Sequence, residues 1–243
     1  MASKRVIITA GPTSEPIDQV RRLTNHSTGS LGSQLAERFR EEGYEVVMLR
    51  SRHCVVPPPR GLDQVIPFET TDDLLARLKE LSKFPVCALF HAAAVSDFKP
   101  GGIFVKGEDG WNALSEGKVS SRQEQVMLRL VPTSKIIAQL RSWFPNACLV
   151  GWKYEVEGTC QELAQKAMHQ LSQCQTHYCV LNGPCIGDTY RVFEKDFTHP
   201  AELSDKDRLC DHLIQCLQIH RHLGREYLTW NRVSRSPGAQ GPY

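Results

Sequence analysis

No apolar run in this sequence approaches the roughly 18 to 20 residues that a bilayer-spanning helix needs, so a helical membrane anchor is not expected. The opening Met1-Ala2-Ser3-Lys4-Arg5 leads into only a strand's worth of apolar positions, too few for the core of a signal peptide. Neither charge sign is in excess: 29 Lys and Arg face 27 Asp and Glu, a net +2. That gives little basis for a nucleic-acid partner, and the basic stretch Arg221, His222, Arg225, Arg232 and Arg235 reads as a solvated C-terminal face. Internal repeats and low-complexity segments are lacking, as are a GxSxG elbow, a P-loop and an HExxH helix. Hydrolase, P-loop kinase and zinc-protease readings therefore have no support. His26, His53 and His91 lack paired ligands nearby, and Cys174, Cys179 and Cys185 follow no zinc spacing, so a structural zinc is not expected.

What remains is an ordinary globular composition, with 41% apolar and 23% charged residues over 243 positions. That length suits one large domain with its own core, expected over 1–233, followed by a Pro- and Gly-rich flexible tail over 234–243. The nine cysteines are an odd number in apolar or helical contexts and read as reduced, buried thiols, which points to a soluble cytoplasmic protein.

Hydrophobic periodicity alternates between two and 3.6 along the chain. Arg5 to Ala10 reads as a strand, Ser30 to Glu42 as a helix closed by Gly43, and Tyr44 to Leu49 as the next strand. Val65 to Phe68 (strand), Thr71 to Leu81 (helix) and Val86 to Phe90 (a nearly continuous apolar strand) repeat the unit. The Gly-rich stretch of about 99–121, broken by Pro100, reads as a long flap or loop. Val126 to Val131 resumes as a strand, a helix capped by Thr133 or Ser134 runs through Trp143, and Cys148 to Tyr154 is again a strand. Cys160 to Gln173 (helix), Tyr178 to Leu181 and Arg191 to Phe193 (strands) follow, and Ser204 caps a last helix to about Leu223. The fold class is α/β: a Rossmann-like, doubly wound, mostly parallel sheet in three layers.

In such a sheet, ligands bind beyond the carboxyl ends of the strands. After the first strand comes the turn Gly11-Pro12-Thr13 and, further on, a helix start at Ser27-Thr28-Gly29-Ser30, whose free amides would attract phosphate. Gly29-x-x-Gly32 alone is equally a turn plus a helix cap, and the loop is too long for the GxGxxG fingerprint.

The string Pro16-Ile17-Asp18-Gln19-Val20-Arg21 followed by Asn25-His26-Ser27-Thr28-Gly29 resembles the phosphopantothenate-cysteine ligase family of coenzyme A biosynthesis. Members carry a GGT turn, a PxDxVR segment and an N-x-S-[ST]-G helix start. The resemblance continues through Ala92-Ala93-Ala94-Val95-Ser96-Asp97 and through Gly117-Lys118-Val119-Ser120-Ser121, similar to the family's lysine-bearing flap in its eukaryote-like form. It ends with Leu130-Val131-Pro132, Gly151-Trp152-Lys153-Tyr154-Glu155 and Val180-Leu181-Asn182, so the motifs run in order over most of the chain.

The resemblance implies a two-step ligation. The 4'-phosphopantothenate carboxylate attacks the α-phosphate of a nucleoside triphosphate, and the amine of cysteine then displaces the nucleotide. It implies Mg²⁺, a homodimer and three catalytic candidates: Asn25, Arg21 and Lys118. Asn25 offers a donor to a developing oxyanion, though the same residue type caps helices. Arg21 suits a bidentate grip on phosphate or carboxylate, with Arg22 beside it leaving the choice between them open. Lys118 would neutralise triphosphate charge, or else is a solvated loop lysine. Gly11, Thr13, Ser27, Thr28, Gly29, Ala93, Asp97 and Asn182 fall at nucleotide-binding positions. Asp97 also suits magnesium, or a plain turn cap, and Asn182 a base contact or a plain turn.

Bacterial members carry lysines where Ser120 and Ser121 stand here, which leaves ATP and CTP both open. It also leaves open a pseudoenzyme that binds nucleotide without ligating. An NAD(P)-dependent oxidoreductase is permitted by the architecture but disfavoured by the missing glycine spacing and by the basic Arg50 to Cys54. The chain opens directly on its first strand, so the decarboxylation that follows ligation is expected of another chain.

Overall fold

The structure is a computed structural model that describes residues 3–114, 117–195 and 199–234, with side chains to residue 222. Its centre is an eight-stranded sheet. Six strands run parallel: β1 (Arg5–Ala10), β4 (Glu45–Ser51), β5 (Gln64–Phe68), β6 (Ala88–His91), β10 (Cys148–Tyr154) and β11 (Tyr178–Asn182). At one edge β12 (Tyr190–Glu194) and β13 (Ala201–Leu203) add antiparallel. Two small antiparallel sheets stand apart from it: β2 (Ser14–Pro16) with β3 (Arg22–Thr24), and β7 (Phe98–Gly107) between β8 (Gly110–Leu114) and β9 (Val126–Pro132). In the large sheet the spatial order is β13-β12-β11-β10-β6-β1-β4-β5, so the winding reverses between β1 and β6.

The pleat of β1 divides the core. Val6, Ile8 and Ala10 face α1 (Ser30–Glu41) and α5 (Lys206–Ser234), where Leu35, Phe39, Leu209 and Leu213 are fully buried. Ile7 faces the other side with Val47, Leu49 and Leu89, covered by Leu74 and Leu78 of α2 (Thr71–Leu81) and Leu140 of α3 (Leu140–Trp143). Leu163, Ala167 and Leu171 of α4 (Cys160–Cys174) pack on Cys179 and Leu181. Each such side chain contributes about 1.5–3 kcal/mol on leaving water, and helices on both faces make the three layers expected. Among the described residues no helix is long and apolar enough to cross a membrane.

Several expectations need correction. The stretch 99–121 is not one long loop: most of it is the hairpin β7–β8, with its turn at Glu108 and Asp109. Its alternation is masked by a bulge between Pro100 and Gly102, and Gly101 lies flat on Val131, whose Cγ1 would be 2.5 Å from a Cβ there. Val126 to Val131 is a strand but not of the central sheet. Thr133 does not cap a helix; its hydroxyl donates to the Ser96 carbonyl (2.5 Å), and the helical turns begin only at Ile137. The cap of α5 is Asp205, which accepts from the Arg208 amide (2.9 Å), while Ser204 merely donates to it. That helix runs past Leu223 to Ser234, and the rest of the expected tail, 235–243, lies outside the described residues. All nine cysteines are unpaired, but Cys160 is exposed and only Cys148, Cys179, Cys210 and Cys216 are buried.

Candidate functional site

Between β1 and β6 the two strands continue into loops that zip together. Pro12 bridges Ala94, the Thr13 amide donates to the Ala94 carbonyl (3.1 Å) and the Ala94 amide to the Gly11 carbonyl (3.0 Å). Thr9 Oγ1 accepts from the Ala93 amide (3.0 Å), which fixes Ala93 at the mouth of the crevice. Beneath Thr9 sits His91, its Nδ1 3.0 Å from the same hydroxyl; burial holds its pKa down to about 4, so it is neutral. Thr13, expected on a nucleotide, is fully buried: its Oγ1 accepts from the Ser96 amide (2.9 Å) and lies 3.3 Å from the Thr71 hydroxyl. That hydroxyl and the Thr71 amide donate to Glu15 Oε1 at 2.7 and 2.8 Å. Thr13 thus braces the loop.

The helix start behaves as its residue types suggest. Gly29 takes a left-handed φ of 75° as N-cap of α1 and, being glycine, offers no side-chain acceptor to the Leu31 and Gly32 amides. Thr28 Oγ1 accepts from the Ser30 amide (3.2 Å), and Ser27 is half-buried just before. Asn25 is not a helix cap: its Nδ2 reaches across the crevice to the Val95 carbonyl (3.3 Å). Gly11, with φ 85°, shares a close approach with Gly29, since a Cβ on either would lie 2.2 or 2.4 Å from Cys54 Sγ. Cys54, whose thiol is pushed up by burial, is a lining residue that its own sequence context did not reveal.

Arg21 and Arg22 part company. Arg22 pairs with Glu69 and donates to the Ser14 carbonyl (3.1 Å). Arg21 is half-exposed, pairs with Asp18 (2.7 Å) and reaches the Val119 carbonyl (3.3 Å) next to the exposed Lys118. Asp18 accepts from the amides of Arg21 (2.6 Å), Val20 (2.8 Å) and Val119 (3.2 Å). Those donors, with the Arg21 charge, hold its carboxyl down at about 2. The site therefore forms two groups: Asn25, Ala93 and the α1 start at the strand ends, and Arg21 with Lys118 beyond β3.

Asp97 is exposed and ion-paired with Lys135. Among the described residues no cluster of three or more His, Cys, Asp or Glu could hold a metal. A magnesium here would accordingly need phosphate oxygens and water to complete its shell. Asn182 ends β11, two strands from β6; its carbonyl accepts from the Glu155 amide (3.0 Å). Gly183 follows it because a Cβ would collide with the Glu155 carbonyl oxygen at 2.1 Å.

A crevice of this kind, at the switch point of a doubly wound sheet beside a helix start, is that of a Rossmann-like, three-layer α/β protein. The chain belongs to the family described as the DNA/pantothenate metabolism flavoprotein C-terminal domain, which it matches over residues 1–215. It is 35% identical over 185 residues to the coenzyme A biosynthesis bifunctional protein of Thermococcus kodakarensis, covering 75% of this chain and 42% of that one. It is 27% identical over 227 residues to phosphopantothenate–cysteine ligase 1 of Arabidopsis thaliana, covering 73% of this chain and 68% of that one. Among solved structures, the DNA/pantothenate metabolism flavoprotein from Streptococcus pneumoniae superposes with a TM-score of 0.78 at 30% identity, covering 90% of this chain and all of that one. The chain spans only about two fifths of the bifunctional relative's length.

Proposed function

We propose that the chain is a cytoplasmic phosphopantothenate-cysteine ligase. The observation that carries this reading is Asn25 reaching over the switch point to Val95, which sets an amide donor beside the glycine-capped start of α1. In the first step the 4'-phosphopantothenate carboxylate attacks the α-phosphorus of a nucleoside triphosphate, and the bond to the β-phosphate oxygen breaks, releasing pyrophosphate. The amides behind Gly29, with Ser27 and Thr28, receive phosphate oxygens, and Gly11 and Ala93 let the ligand approach the backbone. Arg21 and Lys118 neutralise the charge that builds on the leaving pyrophosphate. In the second step the amine of cysteine adds to the acyl carbon, Asn25 donates to the resulting oxyanion, and the nucleotide leaves. Asn182 contacts the base or ribose. Asp97, released from Lys135, would take a share of a Mg²⁺ ion that screens the phosphates.

The three-stranded sheet supports a homodimer. Phe98, Val126 and Leu130 are exposed on one face of it, an apolar patch that a second copy could cover, with Trp111 and Met127 exposed on the other.

The deciding experiment is pyrophosphate release by the purified chain with Mg²⁺ and 4'-phosphopantothenate, comparing ATP with CTP, with and without cysteine. Turnover that needs both phosphopantothenate and a nucleotide is expected, and replacing Lys118 with Ala should lower it about a hundredfold. Nucleotide-dependent stabilisation without turnover would instead establish a pseudoenzyme.

A further inference from the structure

Lys118 has an exposed side chain, yet its backbone is held on both sides. The Gly117 carbonyl accepts from the Gln19 amide (2.9 Å). The Val119 amide donates to Asp18 Oδ2 (3.2 Å), and the Val119 carbonyl accepts from both terminal nitrogens of Arg21 (3.3 and 3.4 Å). Val119 itself is buried, 5% exposed. All of these bonds converge on the turn 17–21, and the turn is organised around one carboxylate. Asp18 has a side chain only 1% exposed, and it takes two amides of its own turn, one guanidinium nitrogen and the one amide from the far segment.

We propose that Asp18 is a positioning residue: it latches the segment bearing Lys118 onto the turn bearing Arg21, so that the two cations are presented to one polyanionic ligand as a unit. The inference rests on the ligase reading for what the cations do, but the latch itself is a matter of geometry. Its chemistry is specific to a carboxylate. Four donors converge on two acceptor oxygens, and an amide in the same place would offer one acceptor and turn a donor towards both Arg21 and the Val119 N–H. Arg21 cannot replace it, because its own guanidinium is oriented by Asp18 at 2.7 Å. Holding two cations in fixed relation matters for a phosphoryl-type leaving group, whose charge is spread over several oxygens.

Two measurements on the full chain test this. The first is tryptic cleavage of the Lys118–Val119 bond, compared between the natural chain and Asp18→Asn at equal thermal midpoint. The latch predicts cleavage about tenfold faster in the variant. The second is a double-mutant cycle on pyrophosphate release. Asp18→Asn should lower kcat about tenfold with the KM for cysteine unchanged, and Asp18→Asn with Lys118→Ala should lose less than the product of the two single losses, what remains being the loss of Arg21 orientation. Equal cleavage rates, or losses that simply multiply, would overturn the proposal. A natural chain without turnover would sink the ligase reading, and the cleavage comparison would still decide the latch.

Discussion

Arg21 and Arg22 are adjacent cations with the same chemistry, and only their surroundings separate them. Arg22 is engaged by Glu69, whereas Arg21 faces the Lys118 segment, so partners far along the chain give the two neighbouring arginines different surroundings. Asn25 is similar: as a residue type it suits a helix cap, and its contact to Val95, 70 positions away, assigns it to the crevice. His91 carries a prediction at this scale. Its folded pKa of about 4 lies below the ordinary 6.5 because burial penalises the charged ring. Above pH 6.5 both folded and unfolded chains hold it neutral and its contribution is complete. As pH falls from 6.5 to 4 only the unfolded chain takes up the proton, so stability drops, by roughly 3 kcal/mol for this one group. Urea midpoints across that range should decline steeply in the natural chain and less in His91→Gln; parallel declines would refute it. Half-buried His177, also held near 4, adds to the slope in both proteins. None of this was legible in the sequence, where His91 is one of several isolated histidines.

The elements themselves were the most legible part. Arg5–Ala10, Thr71–Leu81 and Cys148–Tyr154 have the boundaries that their apolar patterns predict, because α2 buries one regular face and the two central strands are apolar on both. The glycines at the start of α1 have distinct jobs. Gly29 supplies the left-handed cap, while Gly32 lets the helix lie against β1, where a Cβ would come 2.5 Å from that of Ala10. Gly32→Ala should therefore cost about 1–3 kcal/mol by overpacking, read as a lower thermal midpoint, even though alanine is the better helix former. A midpoint at or above that of the natural chain would mean the contact can relax. The hairpin β7–β8 escaped recognition because Pro100, Gly101 and Gly102 interrupt its alternation at a bulge, and composition alone reads such a stretch as loop.

Across the whole molecule, the central sheet provides the crevice and the separate three-stranded sheet provides an exposed apolar surface. If that surface pairs two copies, light scattering should report twice the 27.4 kDa of the chain, and Leu130→Asp should return it to the single-chain mass. A natural chain already at the single-chain mass would remove the dimer. The sequence by itself determined the α/β class, the order of most strands and helices and the collinear motifs at the strand ends, since these depend on local periodicity and on short runs of particular side chains. Which sheet β9 joins, which arginine faces Lys118 and how Asp18 grips a residue 101 positions away were decided only by the tertiary structure. Such contacts follow from strand register and loop closure, which bring distant segments together without leaving a pattern in either one.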